Sequence, residues 1–234
     1  IYMIQIIILG LLSGLSVLAS QYWGKGDTKS INRCMGVSLY AGLLISVPVA
    51  AVLFFFPTSL MALVTNNDLL IELGAAYLRI VGLSYIFNTI SSVYIGMQRS
   101  TENPAMGMIV FGISMLTNTC LNYILIFGKF GAPAMGITGA AIATLASRVL
   151  EFVIVVLYAP HYRRVPLMLR LLLRPGRAMV RSFLKYATPV LVNEILWGLG
   201  VSVMTAIMGH MVISTDMLAA YAIMGNIDKF STVA

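Results

Sequence analysis

Long apolar runs separated by short polar breaks dominate the chain. Seven stand out, at about residues 1–20, 35–56, 74–97, 105–127, 137–158, 188–210 and 217–234. Each approaches the roughly 20 residues an α-helix needs to cross the hydrocarbon core of a bilayer. None alternates apolar and polar residues with the period of two that a membrane barrel requires. The pattern predicts an all-α integral membrane protein, a polytopic helix bundle with about seven spans. Gly24 and Gly26, Pro57, Asn103-Pro104, Gly131 with Pro133, Pro160 and Pro175-Gly176 mark the breaks. Pro48 is expected to kink the second span, and Pro189 suits the first turn of the sixth, where its missing N–H is no loss.

Composition agrees. The 234 residues are 59% hydrophobic and 10% charged, with mean hydropathy +0.93, where a soluble domain would carry about a quarter charged residues. The net charge of +7 is unevenly placed. One set of alternate loops holds Lys25, Lys29 and Arg33, then Arg99, then Arg163, Arg164, Arg170, Arg174, Arg177, Arg181 and Lys185; the other holds Lys129. The positive-inside rule makes loops 21–34, 98–104 and 159–186 cytoplasmic, with 57–73 and 128–136 outside. This placement argues against a nucleic-acid partner and for the lipid bilayer of the cell membrane. Within 160–186, basic and apolar residues alternate at near-helical spacing, which predicts an amphipathic helix on the anionic inner leaflet, a solvated basic loop being the alternative. Cys34 and Cys120 read as buried packing residues, and a disulfide is not expected. No His cluster, Cys-x-x-Cys, nucleotide loop or Gly-x-Ser-x-Gly elbow is present, so neither an enzyme nor a cofactor is expected. The chain opens and closes inside apolar runs and reads as an internal fragment of a longer protein.

Polar groups inside the spans carry the candidate chemistry. Asn118 and Asn122 lie four residues apart, on one helix face. They could simply bridge helices, or they could form part of an ion or solute site. On the next span, Gly136, Ala140 and Thr144 make one small-residue face, and Gly139, Ala143 and Ser147 another. Such faces allow close helix approach, which would let Thr144 join the amide pair. Two amide carbonyls and a hydroxyl are hard ligands suited to Na⁺, and a carboxylate from elsewhere would complete the set. Glu194, beside Asn193, is a costly carboxyl in an apolar span, about 2.5–3.5 kcal/mol on insertion scales. It is a candidate for proton exchange or cationic-substrate binding, or else a structural carboxyl. Arg148 and Glu151, three apart, are expected to pair.

Several stretches in order carry a family resemblance: Gln21-Tyr22-Trp23-Gly24-Lys25-Gly26-Asp27, Gly96-Met97-Gln98-Arg99-Ser100-Thr101-Glu102-Asn103-Pro104-Ala105, the run from Asn118 to Thr144 with Ser147-Arg148, and Pro189-Val190-Leu191-Val192-Asn193-Glu194. Together they resemble the multidrug and toxic compound extrusion (MATE) antiporters, covering about the family's second to eighth helices. The resemblance implies a twelve-helix, two-lobe transporter, with residues 1–159 the first lobe lacking its first helix, 160–186 a cytoplasmic linker and 187–234 the start of the second lobe. It implies export of cationic or amphipathic organic compounds by alternating access, coupled to Na⁺ or H⁺, by a monomer. Asn118, Asn122 and Thr144 match the family's cation site, whose Asp comes from a first helix. One branch of the family has Asp where Asn122 stands. Glu194 matches an acidic position of the seventh helix. A lipid-linked oligosaccharide or peptidoglycan-precursor flippase would share this design, and a seven-helix receptor-like protein is the rival from another class.

Overall fold

The computed structural model describes residues 2–62, 68–209, 221 and 223–225. Among them no strand occurs. The helices are α1 (Tyr2–Gly24), α2 (Thr28–Phe55), α3 (Pro57–Ala62), α4 (Asp68–Ser100), α5 (Pro104–Phe127), α6 (Gly136–Tyr158), α7 (Leu169–Leu173) and α8 (Arg177–Gly209), with a 3₁₀ turn at Ala159–His161. Five stretches, Ile7–Gly24, Thr28–Phe55, Ile71–Ser100, Pro104–Phe127 and Gly136–His161, are long and apolar enough to cross a membrane. The protein is a polytopic helical membrane bundle. The seventh predicted span, 217–234, lies almost wholly outside the described residues.

Local signals explain several boundaries. Asp27 caps α2, its carboxylate accepting from the Ser30 N–H at 3.0 Å and the Ser30 hydroxyl at 2.6 Å. These bonds, the hydroxyl's foremost, hold the Asp27 carboxyl below its ordinary range. The cap starts α2 seven residues before the predicted span, within the stretch read as a loop. Pro104 opens α5, where its missing N–H is no loss, and Gly128 ends it at φ 65°.

α4 is the centre of the bundle and touches α1, α2, α3, α5 and α6. Val93, Met97 and Gln98 of α4 are buried with Leu15 of α1 and Ile31 and Met35 of α2. The motif from Gly96 to Pro104 is a clamp at one end of this core. Gln98 donates to the Tyr94 hydroxyl at 2.7 Å, and Asn103 donates to Gln98 Oε1 at 3.0 Å and to the Tyr158 hydroxyl of α6 at 3.3 Å.

The region 160–186 departs from the single surface helix predicted for it. The chain folds back on α2: Asn32, fully buried, donates to the carbonyls of Thr28 (2.9 Å) and Pro166 (3.1 Å) and accepts from the Met168 N–H at 2.9 Å. Tyr40 donates to the Leu173 carbonyl at 2.9 Å. The helix break falls at Pro175-Gly176, with Gly176 at φ 82°, so α8 starts at Arg177 and runs unbroken past residue 187. Pro189 is therefore interior to α8 rather than in its first turn. Met179, Phe183 and Ala187 form a buried stripe of α8, so much of the apolar face expected on lipid packs against protein instead. One further correction concerns Cys120. Cys34 is buried, but Cys120 is exposed on α5, and both thiols are free.

Candidate cation and coupling site

The polar seam lies between α5 and α6. Gly139 sets its depth, because the absent side chain lets α6 rest on the backbone of Leu125. This contact selects the face of Gly139, Ala143 and Ser147, all buried, as the one that meets α5. Asn118 then donates to the Ser147 hydroxyl at 3.3 Å, and Asn122 donates to Asn118 Oδ1 at 3.0 Å. Ser147 in turn donates to the Thr144 carbonyl at 2.9 Å, and Ser114 to the Ser147 carbonyl at 3.4 Å.

The two predicted amides thus meet, but the side chain that reaches them is Ser147. The Thr144 hydroxyl donates to the Ala140 carbonyl of its own helix at 2.9 Å. Thr144 lines a neighbouring cavity of about 180 Å³ with Tyr77, Ser84, Tyr85, Asn88 and Arg148. Asn88 and Arg148 also line a second cavity of about 310 Å³, beside Ser92 and Arg99. Asn88 was not singled out from sequence. The available signal was its place among Ser84, Thr89, Ser91 and Ser92 in an apolar span.

One atom of the seam is unsatisfied. Asn122 Oδ1 is buried and has no hydrogen-bond partner among the described residues. A buried acceptor left unpaired costs about 1–3 kcal/mol, so a cation or donor at this oxygen would relieve the site. The donor chemistry present is neutral oxygen, which suits a hard monovalent cation. Among the described residues no cluster of three His, Cys, Asp or Glu exists.

The expected ion pair is present: Arg148 Nη1 lies 2.7 Å from Glu151 Oε2. Glu151 is fully buried, and its Oε1 has no partner among the described residues. Glu194 is elsewhere, on α8, which packs on α1 and α2 and not on α5 or α6. It shares a helix face with Ala187 and Leu191, which rest against Gly14 and Gly10 of α1. That face looks toward α1. Glu194 is half-buried, Asn193 is exposed, and the Glu194 carboxyl has no hydrogen bond or ion pair among the described residues.

A bundle of long apolar helices with a buried amide seam defines a polytopic membrane protein by class. A family model, MatE, matches residues 1–124, and the chain belongs to that family, whose members are transporters rather than enzymes. It is 27% identical over 213 residues to the "Uncharacterized transporter YisQ" of Bacillus subtilis, covering 87% of this chain and 45% of the relative. It is 26% identical over 239 residues to a "Probable multidrug resistance protein NorM" of Thermotoga maritima, covering 98% and 49%. Among solved structures, the outward-facing conformation of a multidrug resistance MATE family transporter matches with TM-score 0.83 at 19% identity, covering 98% of this chain and 50% of that one. The chain spans about half the length of the curated relatives it matches.

Proposed function

We propose that this chain belongs to a cation-coupled antiporter that exports drugs or other cationic and amphipathic organic compounds across the cell membrane. Family membership and the multidrug-resistance relatives support drug efflux. The observation that carries the coupling half is the unpartnered Asn122 oxygen, buried beside a second amide. Asn118 and Asn122 contribute oxygens toward a Na⁺ or proton-linked site in the first lobe, Ser147 holds Asn118 in place, and Thr144 lines the neighbouring cavity rather than the amide pair. Na⁺ is favoured, because amides offer oxygens but no titratable group.

Glu194 serves the second lobe. A half-buried carboxyl with no partner among the described residues, on the α8 face that meets α1, would bind a cationic substrate or exchange a proton as the lobes move. The α1–α8 seam at Gly10 and Gly14 joins the first lobe, residues 1–159, to the start of the second in an alternating-access cycle.

The test uses the full-length protein in vesicles. Asn122→Ala should weaken the Na⁺ dependence of drug export with little change in expression. Glu194→Gln should impair export of cations more than of neutral compounds and flatten the pH profile. Unchanged ion dependence in the first variant rejects the cation site, and wild-type export with an unaltered pH profile in the second returns Glu194 to a structural role.

A further inference from the structure

The end of the bundle that carries the basic loops holds a different kind of pocket. Pro175-Gly176 turns the chain before α8, and Gly176 takes the left-handed backbone that glycine adopts without steric cost. Arg174 and Arg177 flank that turn. Across from them stand Ser30 and Arg33 of α2 and Tyr22 of α1. With Ser182, one turn further along α8, they line a cavity of about 410 Å³.

Three guanidinium groups share this cavity, and among the described residues none has a carboxylate within ion-pairing distance. The acid that senses Arg33 is Asp27, and its carboxylate is occupied by Ser30 at 2.6 and 3.0 Å. The N–H groups of Arg177, Ala178 and Met179 precede the first bond of α8, from the Val180 N–H to the Gly176 carbonyl at 3.2 Å. They add donors and the positive end of a helix dipole. Guanidinium forks, hydroxyls and free N–H groups are the donor set for a phosphate.

A second observation selects the source of that phosphate. Gly176 and Arg177 also bound a more apolar groove of about 510 Å³, lined by Val180, Leu184 and Arg181. Val180 and Leu184 are exposed, one turn apart, while Met179 and Phe183 beside them are buried. An inorganic phosphate would use the polar cavity alone. A polar cavity and an apolar groove that share Gly176 and Arg177 match a headgroup joined to an acyl chain.

We propose that Arg33, Arg174 and Arg177 bind the phosphate of an anionic inner-leaflet phospholipid, with an acyl chain along Val180 and Leu184. The lipid ties α2, the linker and α8 together at the point where the two lobes join. This site is independent of the cation seam and of the export reading.

The test is phosphatidylglycerol binding to purified full-length protein in neutral detergent at about 150 mM salt, where charges more than roughly 8 Å away are largely screened. At about fivefold per charge, the triple variant Arg33→Gln, Arg174→Gln, Arg177→Gln should bind roughly 100-fold more weakly. A control triple, Arg163→Gln, Arg164→Gln, Arg170→Gln, removes equal charge outside the cavity and should change binding by less than about threefold. Equal losses in the two variants would overturn the pocket. Inorganic phosphate displacing the lipid as effectively as phosphatidylglycerol itself would overturn the lipid assignment. An arm on the unaltered protein needs no variant to fold: phosphatidylglycerol with a photoactivatable acyl chain should label residues 176–184, and labelling spread over the other basic loops would overturn the proposal.

Discussion

Gly139→Ala is the most informative single change to the α5–α6 seam. A Cβ at Gly139 would stand 2.7 Å from the Leu125 carbonyl oxygen, 2.8 Å from its carbon and 3.0 Å from its Cβ. Two of these are backbone atoms of a continuous helix, so no side chain can swing aside. Ordinary contact begins at 3.4 Å, so the helices must part by about 0.7 Å at this level, the difference between 3.4 and 2.7. The Asn118–Ser147 bond spans the same seam and already measures 3.3 Å. Even a third of that displacement carries it beyond 3.5 Å, out of hydrogen-bonding range. Overpacking of this kind costs about 1–3 kcal/mol. The assay is thermal stability of the full-length protein in detergent, together with ion-dependent drug export in vesicles. The expected result is a clear fall in melting temperature and weakened ion dependence. Gly112→Ala is the control on α5: a Cβ there meets nothing within 4 Å, and alanine should be neutral or stabilise by about 0.5–1 kcal/mol. Wild-type stability and coupling in Gly139→Ala would refute the argument that this glycine sets the seam.

Other consequences follow from single contacts. Asn32→Ala removes three hydrogen bonds at a fully buried position; it should cost about 2 kcal/mol and speed limited proteolysis within 163–174, whereas Tyr40→Phe, losing one exposed bond, should barely change it. Asp27→Ala should cost about 1 kcal/mol through loss of the α2 cap. Because folding lowers the Asp27 carboxyl, the cap's contribution is present at neutral pH and is lost only as the pH falls through the lowered value, so an acid titration of stability should show its low-pH fall reduced in that variant. Glu151→Leu should destabilise by about 1–3 kcal/mol because it removes the partner of Arg148, whose side chain keeps 31% exposure, and adding Arg148→Met should recover part of the loss; a double variant worse than the single would show that the pair does not act as a unit.

The bundle was legible because membrane helices announce themselves by apolar length. Helix starts were less so, since hydropathy reports contact with lipid and not helicity. Thr28 to Cys34 is polar enough to read as a loop, yet Asp27 followed three residues later by Ser30 is a capping signal that was there to be used. The stretch 177–186 had the right amphipathic pattern, but pattern cannot say whether an apolar face meets lipid or another helix; Phe183, fully buried, settles it. Cys120 lies within an apolar run, and an apolar run does not show which face of its helix is covered. Two residues from either Asn118 or Asn122 is about 200° around the helix, the opposite face. Between Thr144 and Ser147 the sequence offered two small-residue faces and no means of choosing. The choice is made by the backbone contact at Gly139, a three-dimensional fact with no mark in spacing.

The two polar centres sit in unlike surroundings, and this bears on how each could work. The amide seam is held between helices in backbone contact, with Asn118 fixed from both sides by Asn122 and Ser147. Its free oxygen has a defined position, as selective binding of a small ion requires. Glu194 has no such fixation. It lies one turn beyond Leu191 on a helix that meets α1 through Gly10 and Gly14, where a Cβ would come within 2.8 Å of Leu191 and 2.6 Å of Ala187. Leu191 and Ala187 fill the notches that Gly10 and Gly14 leave, so the two helices meet at close range. In the proposed cycle, a change in the charge of Glu194, whose carboxyl has no partner among the described residues, would act on this seam. In the proposed function, the amide pair would choose the ion, and Glu194 would link its charge to how α8 lies on α1.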